Sequence, residues 1–231
     1  MNDTITLPEI LTQQEFDEYS AKWLSVASGE GGSELEQAFL NSNTERVLHL
    51  RFPIERITWL VSAVGVRKIK ARFLLVPDNG QLHFTVALFA TDDKAERLSA
   101  YYLPLPYWAD NSVPTTVGDP IPQNLATIWA GNWKAADKVT PALFVTQWGP
   151  LQGYNFEVKD FVSSLFAAQS FQSKEIYIGF GLHQYHAPAA NDGTLNETFG
   201  LVLQVPGDGQ TKAGAADDTF FDMAFPYPPN T

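Results

Sequence analysis

Residues 68–90 read KIKARFLLVPDNGQLHFTVALFA. Ile69, Ala71, Phe73 and Leu75 alternate with Lys68, Lys70, Arg72 and Leu74, the period of two expected of a strand. Pro77-Asp78-Asn79-Gly80 is turn chemistry, and Leu82, Phe84, Val86, Leu88 and Ala90 resume the alternation beyond it. The stretch predicts two antiparallel strands, so the fold contains a sheet. After Asp92-Asp93 a third short strand is expected from Leu98 to Leu103, ending at Pro104-Leu105-Pro106.

Upstream the pattern turns helical. Thr12-Gln13-Gln14-Glu15 has capping-box spacing, and Phe16, Tyr19, Trp23 and Val26 then form one apolar face. Gly29, Gly31 and Gly32 end that helix. Ser33-Glu34-Leu35-Glu36 offers a second capping box before a short helix with Ala38, Phe39 and Leu40. Val47, Leu48, Leu50 and Phe52 form an extended run that stops at Pro53. That proline suits the first turn of a helix, where its missing N–H costs nothing. Ile54, Ile57, Leu60 and Val61 follow on one side, and Gly65 closes the helix.

The second half repeats this order. Trp129-x3-Trp133 answers Tyr19-x3-Trp23, and Phe156-x-Val158-x2-Phe161 answers Phe52-x-Ile54-x2-Ile57. Ile176-x-Ile178-x-Phe180 answers Ile69-x-Ala71-x-Phe73, and Phe199-x-Leu201-x-Leu203 answers Phe84-x-Val86-x-Leu88. Phe225-Pro226-Tyr227-Pro228 answers Leu103-Pro104-Leu105-Pro106. Matches in one order predict an internal duplication. The expected fold is α+β, each copy being helices followed by a three-stranded antiparallel meander, with the copies packed about a pseudo-two-fold axis. The first unit spans 1–107, a proline-rich linker 108–119 and the second unit 120–231.

Composition narrows the partners. Of 231 residues, 45% are apolar and 13% aromatic, enough for a substantial core. Fifteen basic residues against 26 acidic ones leave a net charge of −11, which argues against nucleic acid and against an anionic membrane surface. The chain has no cysteine, which excludes disulfides, thiolate metal sites and cysteine nucleophiles. Met1 to Pro8 carries Asp3 but neither a basic region nor an apolar run, and no segment approaches the ~20 apolar residues of a membrane span. A cytoplasmic location is the expectation.

The second half carries a resemblance. Gly153-Tyr154-Asn155-Phe156 leads into a short helix, and the strands Glu175–Gly181 and Phe199–Leu203 follow. The chain ends in Phe225-Pro226-Tyr227-Pro228-Pro229. This is similar to a set of uncharacterised bacterial proteins with a hydrophobic-Tyr-hydrophobic-Gly strand and a terminal double proline, over about half the chain. Members often carry a cysteine beside the final prolines, where Tyr227 stands here, so no thiol-dependent role is implied. The resemblance implies no activity.

Three groups of residues are candidate sites. His183 and His186, three apart in an expected loop over 183–197, suit a divalent ion such as zinc, with Asp192 or Glu197 completing the shell; a plain polar loop explains the same residues. The interval from Phe180 to Phe199 is longer than its counterpart from Phe73 to Phe84, and an insertion is a natural place for function. Lys68, Lys70 and Arg72 project from one strand face and suit an anion; a solvated face paired with carboxylates is the competing reading. Trp108, Trp148 and Tyr185 are candidates for interface or ligand contact, whereas Trp129/Trp133 and Tyr19/Trp23 read as buried helix faces.

No nucleophile elbow, phosphate loop or dinucleotide fingerprint is present; Asp92-Asp93 and Asp217-Asp218 read as turn residues. The leading expectation is a non-enzymatic interaction or assembly protein with no cofactor, working through aromatic surfaces and sheet edges on a protein partner or a second copy. The alternative is a small-molecule or divalent-metal-binding protein, or a hydrolase, with its site between the copies or in the 183–197 loop.

Overall fold

Lys68–Asp78 and Gln81–Thr91 form a long antiparallel hairpin of 11 residues a side. Asn79 and Gly80 turn it with φ of 48° and 83°, the pair of left-handed residues whose twist matches that of the flanking strands. Around this hairpin the computed structural model describes residues 10–29, 32–105, 123–146, 148–170, 174–186, 195–205, 219–221 and 225–227.

In the first half these form β1 (Ile10–Leu11), α1 (Gln13–Ala27), α2 (Gly32–Ala38), β2 (His49–Pro53), α3 (Ile54–Val61), β3 (Lys68–Asp78), β4 (Gln81–Thr91) and β5 (Tyr101–Tyr102). The second half contributes α4 (Gln123–Ala135), a 3-10 turn at Pro141–Phe144, β6 (Val145–Thr146), β7 (Gly149–Pro150) and β8 (Gly153–Glu157). It continues with α5 (Val158–Ser170), β9 (Glu175–His186), β10 (Leu195–Val205), β11 (Thr219–Phe221) and β12 (Phe225–Tyr227). The α+β class expected from the sequence is the class observed. Among the described residues no helix is long and apolar enough to cross a membrane.

The strands form a six-stranded sheet in the order β1-β5-β4-β3-β8-β12, a four-stranded sheet in the order β11-β10-β9-β2, and the small pair β6-β7. The two large sheets trade strands between the halves. β8 lies against β3, with Ile69 opposite Phe156 and Ala71 opposite Tyr154. β2 lies against β9, with Phe52 opposite Ile176 and Leu50 opposite Ile178. Backbone bonds lock both junctions: Phe73 N donates to Gln152 O (3.0 Å) and Phe180 N to Leu48 O (2.8 Å). Ile54 N donates to Lys174 O (3.0 Å) and Val158 N to Arg67 O (3.1 Å).

One aromatic core fills the space between the sheets. Phe73 and Phe84 meet Phe180 and Phe199 edge to face, with centroids 5.5–5.8 Å apart across the halves. Phe39 and Phe144 complete the cluster. Both buried indoles find an acceptor in the opposite half: Trp23 Nε1 donates to Leu151 O and Trp133 Nε1 to Val47 O, each at 2.8 Å. A buried Trp needs such a partner, so these two bonds tie the helices across the halves as well as filling the core.

Local signals are accurate where the partner is local. Thr12 caps α1 in a full capping box with Glu15. The Ser33 capping box does not form, because α2 already includes Gly32 and Ser33; Glu36 instead pairs with Arg46 at 2.9 Å and accepts from Val139 N. Pro53 is the N-cap of α3 rather than part of its first turn. The strand expected over Leu98–Leu103 shrinks to Tyr101–Tyr102. Asp92 Oδ1 accepts from Lys94 N and Glu96 N, and Ser99 Oγ accepts from Ala90 N at 2.9 Å, so side chains take places a ladder would use.

Candidate anion-binding pocket

The alternation that defines β3 places Lys68, Lys70 and Arg72 on the face turned away from the aromatic core, but neighbouring strands treat the three differently. Lys68 is exposed near the strand end. Lys70 is half-buried. Arg72 is 7% exposed. The cause is α1, which packs across β3, together with Tyr227 of β12, whose ring lies over the guanidinium. The register sets Arg72 opposite Gly153, whose φ is +144°. A Cβ there would stand 2.0 Å from Ala71 O, so only glycine lets the two backbones approach this closely.

Arg72 is held by neutral groups. Nη1 donates to Ala71 O (3.1 Å) and Tyr154 O (3.0 Å), and Nη2 donates to Asn155 Oδ1 (2.8 Å). Its Cζ lies 3.8 Å from the Tyr227 ring centroid and 5.9 Å from that of Phe89. Among the described residues no carboxylate pairs with it, and neither Nε nor the second Nη2 hydrogen has an acceptor. Burial draws its pKa down to about 10, with Tyr227 opposing the shift, so it remains cationic at neutral pH. Lys70 is drawn down by burial first, then by Arg72 and Lys68, with Asp92 opposing.

These two cations line a cleft of about 240 Å³. Phe16, Ser20 and Trp23 of α1 form one wall, Phe89 another, and Gln152 and Tyr227 close the side supplied by the second half. Gln152 N donates to Tyr227 O at 2.8 Å, which fixes that side to the C-terminal strand. Phe16 is braced from behind by Tyr101, stacked at 3.9 Å and 6°. Ser20 Oγ is buried without a hydrogen-bond partner. A second cleft of about 290 Å³, between the start of α2 and the tip of the β3–β4 hairpin, is lined by Glu34, Gln37 and Gln81 and holds no cation.

The metal candidates lie on β9, on β10 and beyond the described residues. β9 runs through His186 and β10 begins at Leu195, so both ends of the expected 183–197 loop are strand: Thr198 pairs with His183 and Asn196 with Tyr185. The ladder persists because the long hairpin keeps pairing, and Gln184 Nε2 donates to Glu197 Oε1 at 3.1 Å. Asp192 lies outside the described residues. Among the described residues no three His, Asp or Glu side chains gather as a metal site.

His183 stacks instead on Trp129 of α4, 3.8 Å apart and 14° from parallel. Burial draws its pKa down to about 4, and its Nε2 is buried without a partner. The expected burial of the helix faces holds for Trp23 and Trp133, while Tyr19 and Trp129 are half-buried. Trp148 is 39% exposed beside the β6–β7 turn. Tyr185 lies in β9, and Trp108 lies outside the described residues.

Phe16, Ser20, Phe89, Gln152 and Tyr227 carry no motif, and only the packing of distant strands collects them around Arg72. The one local signal was an arginine on a strand whose neighbours are apolar. No known family model, curated protein or solved structure matches the chain.

Proposed function

We propose that this protein binds a small anionic ligand in the cleft formed by α1, β3 and the C-terminal strand β12. The observation that carries the reading is the buried Arg72 guanidinium, whose acceptors are all neutral. Burying an ion without a counter-charge costs several kcal/mol, and a fold sustains that cost where the charge has a use. Lys70 beside it doubles the positive charge on a protein whose net charge is −11. That local inversion of sign favours an anion entering this cleft over any other site described.

The reading is tested by isothermal titration of the full chain with sodium acetate and with inorganic phosphate. Binding of either anion, weakened at least tenfold in Arg72→Lys, supports it. Equal heats for parent and variant would remove it.

We propose further that the chain is a duplicated unit packed about a pseudo-two-fold axis. The reciprocal exchange of β2 and β8 and the matched indole bonds of Trp23 and Trp133 support this. The cleft is then a departure from symmetry: Gly179 answers Arg72, and the Gln204 side chain lies against it, 2.8 Å from where a Cβ would stand.

A second reading, association with a protein partner or another copy, is favoured by Val145 and Trp148, 54% and 39% exposed on one short hairpin. Trp148→Glu is expected to lower the native mass without unfolding the chain. An unchanged mass would count against association through this hairpin.

A further inference from the structure

We infer that the ligand is a small aromatic monocarboxylate, its carboxylate against the free edge of Arg72 and its ring against Phe16, Phe89 and Tyr227. The inference rests on the anion-binding reading and narrows it by shape, donor geometry and size.

Tyr227 covers one face of the guanidinium at 3.8 Å, so an anion approaches along the edge. The bonds to Ala71, Tyr154 and Asn155 leave Nε–H and one Nη2–H. Two N–H groups of one planar fork match the two oxygens of a planar carboxylate. Ser20 of the opposing helix lines the cleft beside Phe16. Lys70 supplies long-range attraction.

The remaining walls are rings. Phe16 is fixed by its stack on Tyr101 and meets Phe89 edge to face at 5.7 Å, so the aromatic slot exists before a ligand arrives and little ordering is needed to fill it. Such walls offer nothing to a hydrated inorganic anion and much to a flat ring, which prefers offset or edge-on contact with other rings. Size sets the upper bound. A cleft of about 240 Å³ corresponds to about eight waters at ~30 Å³ each and is smaller than the ~300 Å³ at which drug-sized pockets begin. One ring with a carboxylate suits that size.

The test is calorimetric titration of the full chain with four separate probes: sodium benzoate, sodium acetate, inorganic phosphate and benzyl alcohol. Benzoate is expected to bind at least tenfold more tightly than acetate or phosphate, with no measurable binding of benzyl alcohol. Lys70→Gln is expected to weaken benzoate severalfold, and Arg72→Lys tenfold or more. Acetate or phosphate binding as tightly as benzoate would overturn the aromatic assignment and leave the anion reading standing. Benzyl alcohol matching benzoate would overturn the anion reading itself, and silence from all four probes would overturn both. Should Arg72→Lys fail to fold by circular dichroism, unchanged benzoate affinity in Lys70→Gln overturns the assignment.

Discussion

Phe199→Ala tests whether the two halves share one core. The Phe199 ring is fully buried and meets six others: Phe39, Phe73, Phe84, Trp133, Phe144 and Phe180, at 4.9–5.8 Å. Truncation removes the transfer free energy of the ring and leaves a cavity lined by rigid rings that collapse poorly. A buried Phe→Ala costs ~3–5 kcal/mol, and this site belongs at the upper end because its neighbours come from both sheets. With a urea m-value of ~3 kcal/mol/M for a chain of this size, a loss of ~4.5 kcal/mol moves the midpoint by ~1.5 M. Tryptophan fluorescence and far-UV circular dichroism should follow one coincident transition in parent and variant. Truncation of Phe166, 66% exposed on α5, is the control and should change stability by no more than ~0.5 kcal/mol. A loss below ~1.5 kcal/mol for Phe199→Ala, or a two-step curve in the parent with one half unfolding first, would refute the shared core.

Two further perturbations probe the pocket and the second sheet. Gly153→Ala forces a side chain into φ +144° and against Ala71 O; strain of ~2 kcal/mol should lower Tm by ~4–8 °C, whereas Gly131→Ala, with nothing within 4 Å, should leave Tm unchanged or raise it. Equal Tm shifts would show that β8 does not pack on β3 as described. His49, packed near Tyr177 at 5.0 Å, has its pKa drawn down to about 4 by burial and then by Arg51. Its folded pKa lies below the unfolded ~6.5, so its stabilising contribution is complete above pH 6.5 and is lost as pH falls towards 4. His49→Phe should therefore gain on the parent by up to ~3 kcal/mol over that window, read by urea titrations at pH 7 and pH 4.5; a pH-independent difference would refute it.

The features legible in the sequence are those whose physics closes over a few residues. Thr12 and Glu15 satisfy each other's backbone groups within one turn, Asn79-Gly80 turns its hairpin because both residues tolerate positive φ, and alternation alone separates the Ile69 face of β3 from the Arg72 face. These settle helix, hairpin and α+β class without reference to anything distant. The sequence reads positions 183–186 as loop rather than strand, because the Gly-, Asn- and Pro-rich stretch after them is turn chemistry. How far the ladder persists into such a stretch depends on the partner strand β10, which local composition does not report. Tertiary structure decided which strands pair across the halves, since β2–β9 and β8–β3 join residues 81–130 positions apart and alternation is compatible with many partners. It also decided the pocket. Three basic residues on one strand face are chemically alike, and only α1 across β3 and the Tyr227 ring of β12 make Arg72 a buried cation while leaving Lys68 in water, because burial is a property of what packs above a residue and not of the residues beside it.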